Sequence, residues 1–316
     1  MTLRAHPQKS MTLHTRVAAW LTLLTRCGDK PTRKRVHALR VVTLRLQAEL
    51  ERDLNELPHA SHQAQAMIRF GKQAEKLRQA LGPAREIDVW IGKLRGLRAS
   101  NVKSVEYVPR TIEECQRGID RLEDRLKRKR RTAGKKLAAE IELKNERFVK
   151  AAEDLELVSE ESRLPDARGI GNELVAEFRR VSAEFPVLDE SNLHEFRKRI
   201  KTVRYLAELH AGSDRECARV ATQMKKLQGA IGEWHDWQAL AEETRRGDHA
   251  WSKPLAELLE TITKEAFDAA LETAYSVTAR MSGREGETDL PSSAADPKIP
   301  VRIEGGPHVT EVKQIA

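Results

Sequence analysis

One stretch of the chain places a histidine and four basic residues along one side of a predicted helix. These residues, which we call the basic stripe, are His194, Arg197, Lys198, Lys201 and Arg204. At about 100° per residue, their side chains fall within about 120° of the helix circumference. Arginine forms paired hydrogen bonds to phosphate oxygens, lysine adds a point charge, and a histidine beside a phosphate can take up a proton. The stripe therefore predicts a surface that binds phosphate groups.

The basic stripe borders the side of the helix that is expected to be buried. Phe196, Ile200 and Val203 lie between about 180° and 240° on the same helical wheel. Like charges three or four residues apart destabilise a helix by about 0.2–0.5 kcal/mol per pair. The first acidic residue along the stripe is Glu208, one turn beyond Arg204. A bound anion would offset this repulsion.

The same pattern occurs a second time, earlier in the chain. Val36–Arg40 matches Leu193–Arg197 at an offset of 157 residues, and Leu81–Glu86 matches Ile231–Asp236 at an offset of 150 residues. The difference of seven residues fits a longer loop between the two helices of the first copy. The sequence therefore predicts a tandem duplication of a helical unit.

Each copy carries further basic residues on its next predicted helix. In the second copy the next helix carries Arg215, Arg219, Thr222 and Lys226. The last three of these match Arg69, Lys72 and Lys76 of the first copy. Their spacing predicts a second basic edge in each copy. Arg85 has two open roles, an ion pair with Asp88 or Glu86 or a contact with the anion. His235 and Asp236 are expected to serve helix capping and packing.

The elements that carry these residues are predicted to be helices. Among 316 residues only 4% are aromatic, with 17 Gly and 12 Pro, which favours helices over a β-sandwich or barrel. Breaks between helices are expected at these prolines and glycines: Pro31, Pro58, Pro83, Pro109, Pro165, Pro186, Pro254, Gly82, Gly212 and Gly232. The longest stretch, 111–157, includes the basic run 127–131, which is expected to be a solvated face with i,i+4 ion pairs. The predicted fold class is all-α.

The charge of the chain is concentrated in its helical part. With 56 Lys+Arg against 48 Asp+Glu the net charge is +8, whereas residues 283–316 contain four of the 12 prolines and carry a net charge of −2. Residues 1–282 are therefore expected to form the helical domain, with repeats at about 12–160 and 168–282, and residues 283–316 a flexible C-terminal tail. No apolar run reaches the roughly 18–20 residues that cross a bilayer. The three cysteines lack a CxxC pair, which fits a reducing cytoplasm.

The residues from His194 to Tyr205 resemble the signature of CHAD domains, the conserved histidine α-helical domains. The likeness lies in a histidine followed by basic residues at +3, +4, +7 and +10 and then tyrosine. His37–Arg45 and Leu81–Glu86 are similar to the same family's pattern, and the resemblance covers about residues 12–280. It implies two four-helix subdomains related by a pseudo-twofold axis. It also implies that basic helix faces line a central cleft or pore that binds inorganic polyphosphate, and that the protein associates with polyphosphate granules.

The residues that the resemblance and the repeat assign to polyphosphate binding come from four helices. In the first copy they are His37, Arg40, Arg45, Arg69, Lys72, Lys76 and Arg85, and in the second copy His194, Arg197, Lys198, Lys201, Arg204, Arg219 and Lys226. Leu44 and Gln47 stand where the family usually has further basic residues, and Glu86 replaces the commoner aspartate. The first copy is therefore expected to contribute less to binding. No metal or cofactor is expected.

One motif suggests catalysis and has to be weighed. Glu140-Ile141-Glu142-Leu143-Lys144 resembles the ExExK signature of the triphosphate tunnel (CYTH) enzymes, in which a β-strand places both carboxylates on one face. Here the flanking residues are helical in pattern, so Glu140 and Glu142 point about 200° apart and a Glu140–Lys144 ion pair is expected instead. The sequence contains no Walker loop, HExxH or nucleophile elbow. We therefore expect a binding protein and not an enzyme.

Two alternatives remain open at this point. A basic chain can also bind nucleic acid or other polyanions through phosphate contacts alone. The 14 aromatic residues form no cluster typical of base stacking, which weakens that interpretation. An enzyme acting on phosphorylated substrates would need paired carboxylates or a nucleophile beside the basic helices.

Overall fold

The computed structural model describes residues 13–99, 109–160, 169–246 and 250–283, and these ranges are helical throughout apart from short connections. The eight α-helices are α1 (Leu13–Asp29), α2 (Arg33–Glu56), α3 (His62–Ala99), α4 (Pro109–Glu160), α5 (Ile170–Glu184), α6 (Leu193–His210), α7 (Arg215–Arg245) and α8 (Lys253–Ser282). A 3-10 turn, Ala250–Ser252, precedes α8. The all-α prediction is confirmed. The predicted tail lies outside the described residues from 284 onward.

Local sequence signals set several of the helix ends. The Thr32 hydroxyl accepts a hydrogen bond from the Arg35 amide and begins α2, and the Asp214 carboxylate accepts from the amides of Glu216 and Cys217 and begins α7. α8 ends at Gly283, whose φ of 74° lies in the left-handed region that glycine adopts without strain. These caps satisfy backbone groups that would otherwise lack partners.

Three predicted breaks are wrong. α3 continues through Gly82 and Pro83 to Ala99, and α7 continues through Gly232. A proline in a helix removes one backbone hydrogen bond and costs about 3 kcal/mol. Packing along both flanks of α3 outweighs that cost here, since buried Leu81 and Ala84 bracket the proline. The predicted long helix at 111–157 is confirmed as α4.

The core formed by the described residues is divided among three groups of buried side chains. One group belongs to α1–α4, with Trp20 edge-on to Phe70 and Phe148 at its centre. A second belongs mainly to α5–α8 and includes Phe196 and Trp234. The third joins the two sets through α3, α4, α7 and α8. This third group packs α3 and α4 of the first half against α7 and α8 of the second half.

Helices of like order in the two halves contact each other. The pairs are α2 with α6, α3 with α7, and α4 with α8. A twofold-related duplication produces this pattern, and the duplication itself stays a prediction from the sequence. The contact between α2 and α6 places the two histidine helices side by side at the site. In the part of the chain that the structure describes, no helix combines the length and the apolar character needed to cross a membrane.

Candidate anion-binding site

Basic side chains from both halves converge where α2 and α6 meet. We call them the central basic cluster; its members are His37, Arg40, Arg78, Arg85, His194, Arg197 and Lys201. α2 supplies the first two, α3 the next two and α6 the last three. The cluster therefore draws on three helices and on both copies of the repeat.

The pKa of Lys201 shows the effect of the surrounding positive charges most clearly. Its pKa is lowered from the usual 10.5 to about 8, first by burial and then by the positive charges of Arg197, Arg40, Arg78 and Lys198. Two of these cations lie on α2 and α3, across the boundary between the halves. Burial and neighbouring cations disfavour the charged ammonium form, and a bound anion would favour it. The site is thus electrostatically suited to a multiply charged anion.

Arg40 and Arg197 present half-buried guanidinium groups in the middle of the cluster. Burial lowers the pKa of both, and for Arg40 the nearby Arg78 lowers it further. Arg40 Nη1 donates to the backbone carbonyl of Arg78 at 3.2 Å, while Arg197 Nε is buried without a hydrogen-bond partner among the described residues. A Cβ at Gly232 would lie 3.4 Å from Arg197 Nη2, an ordinary contact distance, so the guanidinium lies against this part of α7. Both groups retain donors for an anion.

The histidines are kept neutral by their surroundings. His194 of α6 stacks on His235 of α7 with ring centroids 4.8 Å apart. The pKa of His194 is lowered by burial first and then by His235 and Arg197. The pKa of His37 is lowered by burial and by Arg85, Arg33 and Arg40. His194 Nδ1 is buried and has no hydrogen-bond partner in the described ranges.

Acidic side chains mark the two ends of the cluster. At one end Glu208 accepts from Arg204 at 2.8 Å and from Arg45 at 2.9 Å, which links α6 to α2. At the other end Asp236 acts on both Arg197 and Arg85 and partly offsets their charge. Arg45 and Arg204, both predicted to contact the anion, therefore each have a carboxylate partner.

Several of the predicted site residues do not join the cluster. Arg69 pairs with Asp154 of α4 at 3.4 Å, and Arg219 pairs with Glu216 on its own helix at 2.5 Å. Lys72, Lys76 and Lys226 are exposed. On α3, Lys76 lies nine residues before Arg85, which places it on about the opposite side of the helix. The second basic edge predicted for the first copy therefore faces away from the cluster.

The sequence reasoning also missed members of the site. Arg78 belongs to the cluster, and it precedes Arg85 by seven residues, a spacing that puts both on one face of α3. The repeat comparison passed over it because the residue 150 positions later is Gln228. His235 stacks on His194, and the carboxylate of Asp236 favours the charged form of Arg197. Both roles go beyond the capping and packing expected of these residues.

The ExExK match lies on α4 and not on a strand. Lys144 Nζ is 2.6 Å from Glu140 Oε1, as the helical interpretation predicted. The basic run 127–131 behaves differently from the expected solvated face. Lys127 does pair with Glu123 along α4, but Lys129 pairs with Glu243 of α7 and Arg130 with Asp88 of α3. Across the described residues, no group of three or more His, Cys, Asp or Glu side chains is arranged to hold a metal ion.

The fold and the site together define a class of protein. Its members are all-helical, and two sets of four helices share one basic cluster. The model of the CHAD domain matches residues 11–245, and the chain belongs to this family. The match ends with α7 and leaves α8 outside, whereas the sequence resemblance was placed at about 12–280. Among solved structures, PptA from Streptomyces chartreusis is similar in fold, with a TM-score of 0.58 and 14% sequence identity over 86% of this chain and 96% of that chain. No curated protein matches the chain.

Proposed function

We propose that this protein binds inorganic polyphosphate through the central basic cluster and does so without catalysis. The observation that carries the proposal is the crowding of cations from three helices around Lys201, whose pKa is lowered to about 8 by burial and then by these neighbouring charges. Membership of the CHAD family supports it, since the family resemblance implied polyphosphate as ligand. On this proposal the protein resides in the cytoplasm and associates with polyphosphate granules.

A polymer fits the cluster better than a single phosphate. The cations are contributed by α2, α3 and α6, so one small anion can reach only part of them. Once one phosphate of a polymer is bound, its linked neighbours bind the next cations intramolecularly. This raises the overall affinity without new kinds of contact. We therefore expect affinity to depend strongly on chain length.

Titration of the full chain with long-chain polyphosphate, tripolyphosphate and DNA of matched charge, at several salt concentrations, tests this proposal. Long-chain polyphosphate is expected to bind at least about tenfold more tightly than tripolyphosphate, and its affinity is expected to fall steeply with salt as counterions are released. Equal affinity for the two phosphates would contradict the extended site. Tighter binding of the DNA would favour the nucleic-acid alternative.

The absence of turnover is a separate expectation. Incubation with polyphosphate or ATP and Mg²⁺ should release no orthophosphate above that released by a Glu140→Ala/Glu142→Ala variant. The physical reason is that α4 turns these two carboxylates to different sides, and Lys144 already pairs with Glu140. Orthophosphate release that disappears in the double variant would show that the motif is catalytic.

A further inference from the structure

A second basic concavity lies between α3 and α4, away from the central basic cluster. Its volume is about 750 Å³. Arg128, Thr132, Lys136 and Lys144 line it along α4, at spacings of four residues or multiples of four. At 1.5 Å per residue this ridge is about 24 Å long. We call the concavity the α3/α4 groove.

The opposite wall and the floor of the groove are built differently from the ridge. α3 contributes Lys76 to the wall, and small or apolar side chains, including Ala80, Ala133 and Leu137, form the floor. Small floor residues let the backbones of α3 and α4 define a recess between the two rows of longer side chains. The α4 rim thus carries a row of cations, and the α3 rim carries Lys76 opposite it.

The charges of the groove are only partly neutralised by protein carboxylates. Lys144 pairs with Glu140 at 2.6 Å, and Lys129 at the other end pairs with Glu243 at 2.5 Å. Within the described residues, Lys76, Arg128 and Lys136 have no ion pair. This contrasts with Lys127 and Arg130 on the same helix, both of which pair with acids.

We propose that the α3/α4 groove is a second anion site that holds a further segment of a long polyphosphate chain. The inference rests on the proposed function, because the chain bound at the groove is the one that the central basic cluster holds elsewhere. α3 carries both sites on opposite sides, with Arg78 and Arg85 toward the cluster and Lys76 toward the groove. This assignment also gives a role to Lys76, which the sequence predicted as a phosphate contact and which lies away from the cluster.

The elongated form of the groove favours a linear polymer over a compact anion. Arg128 and Lys136 are eight residues apart, or about 12 Å along α4. A tripolyphosphate held at the cluster cannot also reach this pair from the far side of α3, whose diameter with side chains is about 10–12 Å. The groove should therefore strengthen the binding of long chains only.

A matched pair of double variants on α4 tests the inference. Arg128→Glu/Lys136→Glu reverses two charges of the groove, while Arg131→Glu/Lys135→Glu reverses one arginine and one lysine that are exposed on the same helix but do not line the groove. We expect the groove variant to bind long-chain polyphosphate at least about fivefold more weakly than the control variant, with tripolyphosphate affinity equal in the two. Helix content by circular dichroism should match the wild type in both.

The outcomes separate this inference from the proposed function. Equal losses in the two α4 variants, or a loss for tripolyphosphate as large as that for the long chain, would overturn the groove as a site. In either case the wild type would still bind polyphosphate at the cluster. A wild-type chain that binds no polyphosphate would overturn the proposed function and the groove together.

Discussion

Reversing the charge of both Arg40 and Arg197 is expected to weaken the binding of long-chain polyphosphate by at least about hundredfold. Each charge-assisted hydrogen bond to a partly desolvated phosphate contributes about 1.5–3 kcal/mol, and two lost bonds correspond to that factor. The two guanidinium groups come from different halves and meet in the middle of the central basic cluster. The new carboxylates would in addition repel the anion. Titration with long-chain polyphosphate at constant ionic strength measures the effect.

The Arg131→Glu/Lys135→Glu variant serves as a control with the same change in net charge. Its affinity is expected to remain within about threefold of the wild type, because exposed charges are screened beyond the Debye length of about 8–10 Å. The cluster variant should keep its fold, since a carboxylate at position 40 or 197 would face Arg78 and Lys201. Circular dichroism and the melting temperature check this. Equal losses in the two variants would mean that binding follows net charge and not the cluster.

Affinity for long-chain polyphosphate is also expected to fall as the pH rises from about 7 to about 9, because Lys201 loses its proton in this range. Its pKa is lowered to about 8 in the free protein. A phosphate beside the ammonium raises the pKa of Lys201 again. Binding is therefore coupled to proton uptake when the pH is above the pKa of Lys201 in the free protein. For one linked proton the affinity can fall by up to about tenfold per pH unit between the free and the bound pKa. Titrations at several pH values and constant ionic strength measure this slope.

Lys201→Met is the matched variant for the pH experiment, because it keeps the long apolar side chain and removes the titrating group. Its affinity should be lower than that of the wild type at about pH 7 and should change little up to about pH 9. In the free protein the pKa values of His37 and His194 are lowered from 6.5, so both are mainly neutral above about pH 7. A proton that bound phosphate returned to either histidine would remain visible in Lys201→Met. Burial raises the pKa of Tyr205 above its usual 10. A slope that persists in Lys201→Met would assign the proton to another group.

The sequence predicted what depends on a single helix. The spacing of His194, Arg197 and Lys201 was enough to place them on one face beside the buried Phe196 and Ile200, because helical geometry alone fixes that relation. The all-α class was predicted from the composition, which likewise requires no information about packing. These features need no knowledge of what packs against the helix.

The sequence could not reveal relations between helices. Arg78 joins the cluster and Arg204 is neutralised by Glu208, which also binds Arg45 of another helix. The Arg204–Glu208 pair follows from i,i+4 spacing within α6. The approach of Arg78 to Lys201 and of Arg45 to Glu208 does not, since it depends on how α2, α3 and α6 pack. The course of α3 through Pro83 likewise depends on the burial of its neighbours, which outweighs the local preference for a break.

Residue-resolved acetylation of the lysines, followed by mass spectrometry with and without long-chain polyphosphate, tests directly whether the central basic cluster holds the anion. At about pH 8 Lys201 is about half unprotonated in the free protein, so its amine can react. Bound polyphosphate should slow the acetylation of Lys201 strongly, both by covering the amine and by restoring its proton, while exposed Lys135 keeps its rate. An unchanged rate at Lys201 under conditions in which the polymer is bound would contradict the account.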